Sequence, residues 1–315
     1  YLALAFIRLY IFMYWVILIY NFMCGIVGLY LKKKKLYNKL GFYLSGMIDN
    51  MSSRGSDSAG FAIYNNKESK KYYKYSFCLN NTLSSEFEGV VKQKLKDIKI
   101  KNISDHIVIQ TTTTPKKFIS YINKNFSLIS LVGYGRSIEI FKQVGNPTEI
   151  VKKFKLENFS GSHAIGHTRM ATESAITVDG SHPYSTGEDE CLVHNGSLSN
   201  HNNLRRQLVK KGKTFDSLND TEVAAGYISQ KLSENKSMKK TLTESLKDLD
   251  GFYTFIAGTN KGFAVLRDEI ACKPAVIAEN NDYVAVASEF QAMAHLPYVN
   301  KSNIYEPKPG VVYTW

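Results

Sequence analysis

"NFMCGIVGLY", residues 21–30, sets a cysteine directly behind a methionine at the head of an apolar, glycine-punctuated segment. Two readings diverge here. If Met23 is the initiator, its removal leaves Cys24 as the N-terminal residue; otherwise Cys24 is one of four ordinary cysteines, buried in a strand. The difference is chemical. An N-terminal cysteine brings its own base, because an α-amine with an ordinary pKa of about 8 sits on the same residue as the thiol. An internal buried cysteine behaves as a small apolar residue.

Upstream, "YLALAFIRLYIFMYWVILIYNF" (1–22) is almost wholly apolar and reaches the roughly 20 residues that span a bilayer. It has no basic region at its start, and Asn21 and Met23 are poor residues for a signal-peptidase site. Residues 1–22 therefore read as an over-extended start or a removed leader, with a membrane anchor as the alternative. From residue 24 to 315 no repeat or linker divides the chain, which predicts one domain.

Of the 315 residues, 44% are hydrophobic, as expected of a globular protein with a sizeable core. Cys24, Cys78, Cys191 and Cys272 are scattered without a CxxC pair, which supports neither a disulfide framework nor a zinc site. No metal or cofactor is expected, and the compartment is expected to be reducing and cytoplasmic. The net charge of +12 comes mainly from lysines in runs such as "LKKKKL" and "VKKGK". Such runs make solvated faces more often than a nucleic-acid groove, so no nucleic-acid partner is expected.

The first strand reads "CGIVGLYL", and a helix is expected from about Asn38 to Ser53 with Leu40, Leu44, Met47, Ile48 and Met51 on one face. "RGSDSAG" turns into the strand "FAIYNN". Between 66 and 160 only "KYYKYSF", "HIVIQT" and "LISLVGYG" read as strands. A strand is expected to meet a turn at Asn195-Gly196, followed by a helix capped by Asn200 that ends near Gly212; "NDTEVAAGYISQKL" is a further helix. Strands "GFYTFIAG", "GFAVLRD", "KPAVIA" and "DYVAVAS", a short helix "EFQAMAHL" and a last strand near "GVVYTW" complete the chain. Consecutive strands with little helix between them predict antiparallel sheets with helices packed outside, an α+β fold.

Several polar residues are candidates for chemistry. In "HNG" (194–196) an amide side chain stands beside a glycine whose N–H is open to close approach, and two such donors suit a developing oxyanion; alone, Asn-Gly is also a plain turn. Arg169, at the end of a strand in "GHTRMAT", offers a fork that matches a carboxylate. Asp220, at a helix start, suits an ammonium or simply caps the helix. Jointly they describe a site for a zwitterionic amino acid with a reactive carbonyl.

Taken in order, "MCGIVGLY", "RGSDSAG", "GHTRMAT", "HNGSLSNH" and "NDTEV" resemble the glutaminase domain of class II glutamine amidotransferases. The resemblance runs from Met23 to near the C-terminus. It implies the N-terminal-nucleophile hydrolase fold, a four-layer αββα sandwich. It implies Cys24 as nucleophile with its α-amine as proton shuttle, and Asn195 and Gly196 as the oxyanion hole. Arg169 and Thr172 would hold the glutamine α-carboxylate and Asp220 its α-ammonium, with Arg54 and His194 in support. Met170, Glu173 and Ser56 depart from the glucosamine-phosphate synthase branch, and "RDEIACKPAVIAENNDYVAVASEFQAMAHLP" looks most like stand-alone subunits related to glutamate synthase, of the methylglutamate synthase type. The partner so implied is a synthase subunit that captures ammonia, flavin-dependent and glutamate-synthase-like. Two alternatives stay open: another N-terminal-nucleophile amidase, and a membrane-anchored, non-catalytic glutamine-binding subunit.

Overall fold

The computed structural model describes residues 24–65, 71–79, 84–95, 97–126, 129–170 and 176–315. The hydrophobic prefix, Met23 and Thr172 lie outside them. Strand β1 (Gly25–Leu31) leads through a 3-10 turn (Lys34–Lys39) to α1 (Leu40–Asp49) and β2 (Ser58–Tyr64). Next come β3 (Tyr73–Cys78), α2 (Ser84–Lys94), β4 (Lys99–Ile103), β5 (His106–Thr111), α3 (Pro115–Asn125), β6 (Ser130–Gly135), β7 (Ile138–Val144) and α4 (Pro147–Lys153). The second half runs β8 (His163–Arg169), β9 (Cys191–Leu198), α5 (His201–Lys210), α6 (Asp220–Ser233), α7 (Met238–Asp248), β10 (Gly251–Thr259) and β11 (Gly262–Arg267). It closes with β12 (Val276–Glu279), β13 (Tyr283–Ala287), β14 (Asn303–Tyr305) and β15 (Tyr313–Thr314).

β1 is the middle strand of a seven-stranded antiparallel sheet ordered β14-β12-β13-β1-β8-β2-β7. Its side chains alternate between two cores, as the period of two requires. Val27, Leu29 and Leu31 pack with Leu44, Met47 and Ile48 of α1. On the other face, Ile26 meets Val193, Ile256 and Val265 of a four-stranded antiparallel sheet ordered β15-β11-β10-β9. That second sheet alternates in turn: Phe263 and Val265 face the first sheet, whereas Ala264 and Leu266 join Val223 of α6 and Leu242 of α7. Helix, sheet, sheet, helix is the four-layer α+β sandwich expected.

The stretch that was hardest to read from sequence forms a third antiparallel sheet, ordered β4-β5-β3-β6. Tyr75 and Phe77 of β3 pack under Phe87 of α2 and Phe118 and Ile122 of α3. The opposite face of β3 meets β7, where the Ser76 hydroxyl accepts from Ile140 N at 3.1 Å and Lys74 Nζ lies 2.9 Å from Glu139 Oε1.

Other boundaries shift. The first helix is shorter than expected: it ends at Asp49, and Met51 is buried in the turn beyond it. "EFQAMAHL" winds only as a 3-10 turn (Phe290–Met293), and "GVVYTW" pairs only at Tyr313–Thr314. Asn200 stands before α5 but makes no side-chain cap; its amide instead donates to Asp248 O at 2.9 Å and its carbonyl accepts from Asp250 N at 3.1 Å, tying the start of α5 to the end of α7 and the residues that lead into β10. Among the described residues no helix is long and apolar enough to cross a membrane.

Candidate active site

Cys24 sits immediately before β1, and the pairing of Gly25 with Thr168 brings the last residues of β8 beside it. The Cys24 thiol donates to the Met170 carbonyl at 3.6 Å. Burial pushes this thiol up from its ordinary pKa, opposed in part by the cations Arg169, Lys273 and Arg54. It is therefore protonated near neutrality, and a base has to take its proton before it can attack.

Two side chains hold the Cys24 carbonyl. Asn195 Nδ2 donates to it at 3.1 Å and Arg54 Nε at 3.3 Å. Arg54 is buried and ion-paired with Glu289, a partner that sequence reasoning missed because 235 residues separate the two. The neighbouring Gly55 lets this turn lie against β8, since a Cβ there would sit 2.6 Å from the Thr168 carbonyl carbon.

The turn expected at Asn195-Gly196 is absent. β9 runs on to Leu198, with Asn195 opposite Thr254 and Gly196 opposite Tyr253 of β10. What the sequence signalled as a turn is a strand distortion: Gly196 has φ +148, and a Cβ on it would lie 2.0 Å from Phe252 O. Only glycine fits there, and the distortion comes next to the residue whose amide reaches Cys24. Because an amide nitrogen carries two hydrogens, engaging Cys24 leaves Asn195 a second one.

Arg169, the last residue of β8, is 4% exposed. Asp220 is the first residue of α6, but the cap is its neighbour: Asn219 Oδ1 accepts from Thr221 N at 2.8 Å. Asp220 instead accepts from Leu198 N at 2.8 Å through Oδ2 and from the Thr221 hydroxyl at 3.3 Å through Oδ1. His194 Nδ1 is 3.8 Å from Asp220 Oδ1 and bonds Thr221 Oγ1 at 2.9 Å. Burial holds the His194 pKa down, with Asp220 opposing and Lys273 reinforcing the shift. The site thus gathers Cys24, Arg54, Asn195, Gly196, His194 and Asp220, and adds Thr221 and Glu289.

Elsewhere Cys78, Asp105 and His106 bring metal-ligand atoms within 4.8 Å of one another. Two of the three are already engaged: His106 Nδ1 and Lys153 Nζ each lie 3.1 Å from Asp105, Gln143 donates to it, and His106 Nε2 accepts from Lys142 N at 3.4 Å.

A family profile described as "Glutamine amidotransferase domain" matches residues 167–295. The "Glutamine amidotransferase-like protein GlxB" of Rhizobium meliloti (strain 1021) is 45% identical over 298 residues, 93% of this chain and 98% of that protein. The chain belongs to the class II glutamine amidotransferases. A "Putative glutamine amidotransferase" of Methanothermobacter thermautotrophicus is 32% identical to this amidotransferase, covering 92% of this chain and 98% of that protein. The glutamine phosphoribosylpyrophosphate amidotransferase of B. subtilis shares the N-terminal-nucleophile hydrolase fold, with a TM-score of 0.60 at 21% identity; the match takes in 92% of this amidotransferase and 47% of that chain.

Proposed function

We propose that the chain hydrolyses the side-chain amide of glutamine through a γ-glutamyl thioester on Cys24 and hands the ammonia to a separate synthase subunit. The observation that carries this reading is the 3.1 Å bond from Asn195 Nδ2 to the Cys24 carbonyl, which holds an oxyanion donor on the nucleophile's own residue. The base is the Cys24 α-amine, freed when Met23 and everything before it is absent. It takes the thiol proton, the thiolate adds to the amide carbon, and the oxyanion is met by Asn195 Nδ2 and Gly196 N–H. The α-ammonium then returns the proton to the departing nitrogen, ammonia leaves, and water cleaves the thioester to glutamate.

Substrate recognition is assigned to Arg169 and Thr172 for the α-carboxylate and to Asp220 for the α-ammonium. The burial of Arg169 beside Cys24 and the two-point anchoring of Asp220 support this. A general amidase acting on an apolar acyl group needs neither charge. The acceptor of the ammonia is proposed to be a flavin-dependent, glutamate-synthase-like subunit in the same, cytoplasmic, compartment.

The test is direct. N-terminal sequencing of the active protein should begin at Cys24, and Cys24→Ala should abolish glutamine hydrolysis while glutamine still binds by calorimetry. An active protein with a blocked or extended N-terminus would sink the mechanism. A strictly monomeric protein with full turnover and no copurifying subunit would sink the partner.

A further inference from the structure

Behind Asp220 lie three histidines, His167, His182 and His194, each at most 5% exposed, whose protonation states follow from their neighbours. Thr221 Oγ1 lies 2.9 Å from His194 Nδ1, 2.9 Å from His182 Nε2 and 3.3 Å from Asp220 Oδ1. A hydroxyl has one proton and two lone pairs, and a carboxylate can only accept. The Thr221 proton therefore goes to Asp220, and its lone pairs accept from both imidazoles. His194 carries its proton on Nδ1 and His182 on Nε2. His167 Nε2 lies 3.0 Å from the His194 carbonyl, which also only accepts, so His167 is protonated on Nε2.

The remaining ring nitrogens are His194 Nε2, His182 Nδ1 and His167 Nδ1. Among the described residues these are buried and without a hydrogen-bond partner. The assignment makes each of them a bare lone pair, whereas protonation would strand an N–H in a buried site, the costlier defect. The His167 and His182 rings also stack at 3.8 Å with 16° between planes, a contact two imidazolium ions would not tolerate. Burial agrees in direction, lowering all three and taking His167 to about 3.

We propose that Thr221 is a positioning residue that fixes the Asp220 carboxylate as receptor for the substrate α-ammonium, and that the three histidines serve it as neutral imidazoles of fixed tautomer. The inference rests on the glutaminase reading above. With Leu198 N on one oxygen and Thr221 on the other, the carboxylate plane is set, and the outward lone pairs are aimed before substrate arrives.

Thr221→Val keeps the shape and removes the hub; Thr221→Ser keeps the hydroxyl. The readout is the ratio of kcat/KM for glutamine to that for glutaramate, which lacks the α-ammonium. Valine should lower this ratio about tenfold, the worth of one charge-assisted contact, mainly through the glutamine KM, and serine should restore it. A ratio unchanged in Thr221→Val, or lost equally in Thr221→Ser, overturns the role of Thr221. A wild-type enzyme that does not prefer glutamine defeats the glutaminase reading instead. Nitrogen-15 NMR of the unmodified protein at neutral pH needs no variant to fold. It should show Nδ1–H for His194 and Nε2–H for His182 and His167, and an imidazolium or a reversed tautomer among them overturns the proposal.

Discussion

Asn195 holds the Cys24 carbonyl with one amide hydrogen, and its second is proposed to meet the oxyanion. Removing it takes away a donor from the proposed oxyanion hole and one of two bonds to the Cys24 carbonyl. Asn195→Ala is therefore expected to lower kcat by roughly 100-fold or more, with far-ultraviolet circular dichroism unchanged; unaltered turnover would remove it from the hole. Arg169→Lys keeps the charge and loses the planar fork, so the glutamine KM should rise about tenfold with a smaller change in kcat. Cys24, Arg54, Arg169, Asn195 and Asp220 were legible as candidates because their motifs pair an unusual residue with a local signal. Thr221 and His182 were not: a threonine at a helix start reads as ordinary capping chemistry, and the contact on which its proposed role rests crosses 39 residues to His182.

At the level of elements, β9 depends on glycine at position 196, where φ is positive. Gly196→Ala would force a Cβ onto the Phe252 carbonyl at a φ of +148. The expected cost is about 1–3 kcal/mol of backbone strain, visible as a lower urea midpoint together with lost activity. The third sheet hangs on a different device. Lys74, buried, pairs with Glu139 of β7, whereas Lys101 reaches the same carboxylate from an exposed position. Lys74→Ala should destabilise by about 3 kcal/mol or more and Lys101→Ala by less than about 1 kcal/mol. Equal effects in chemical denaturation would contradict this.

These polar interiors explain why the same region resisted reading. β7 is "IEIFKQV", and its buried Lys142, which donates to Ser181 O at 3.0 Å, breaks the apolar alternation that announces a strand. β4 alternates too weakly, because most of its residues are exposed. By contrast β1, β11 and β13 sit between two layers and are apolar nearly throughout, so their identity as strands was plain.

For the molecule at large, the buried histidines among the described residues are expected to dominate the acid response. His163, stacked on Tyr64 and bonded to Thr259 O at 2.7 Å, is lowered by burial to about 4, and His167 to about 3. His106, His182 and His194 move the same way, each mainly by burial. A depressed histidine leaves the unfolded chain binding more protons, so stability is full above the unfolded pKa of about 6.5 and falls as pH drops towards the folded value. Each contributes a slope of about 1.4 kcal/mol per pH unit within its window. Glu190, raised by burial to about 7, and Asp216, also raised by burial, act in the opposite sense. Five against two leaves the histidines ahead, so the urea midpoint should fall steadily from pH 7 to pH 5. A flat profile would show that these imidazoles are charged in the folded protein.

The ties on Cys24 also set when the enzyme can exist during its own synthesis. Its carbonyl is held from Arg54, 30 residues on, and from Asn195, 171 residues on, while Arg54 is paired a further 235 residues downstream. Cys24, the proposed nucleophile, is therefore made before both side chains that hold its carbonyl. A chain interrupted before β9 carries Cys24 without the Asn195 amide, so the proposed site can be assembled only after β9 has been made.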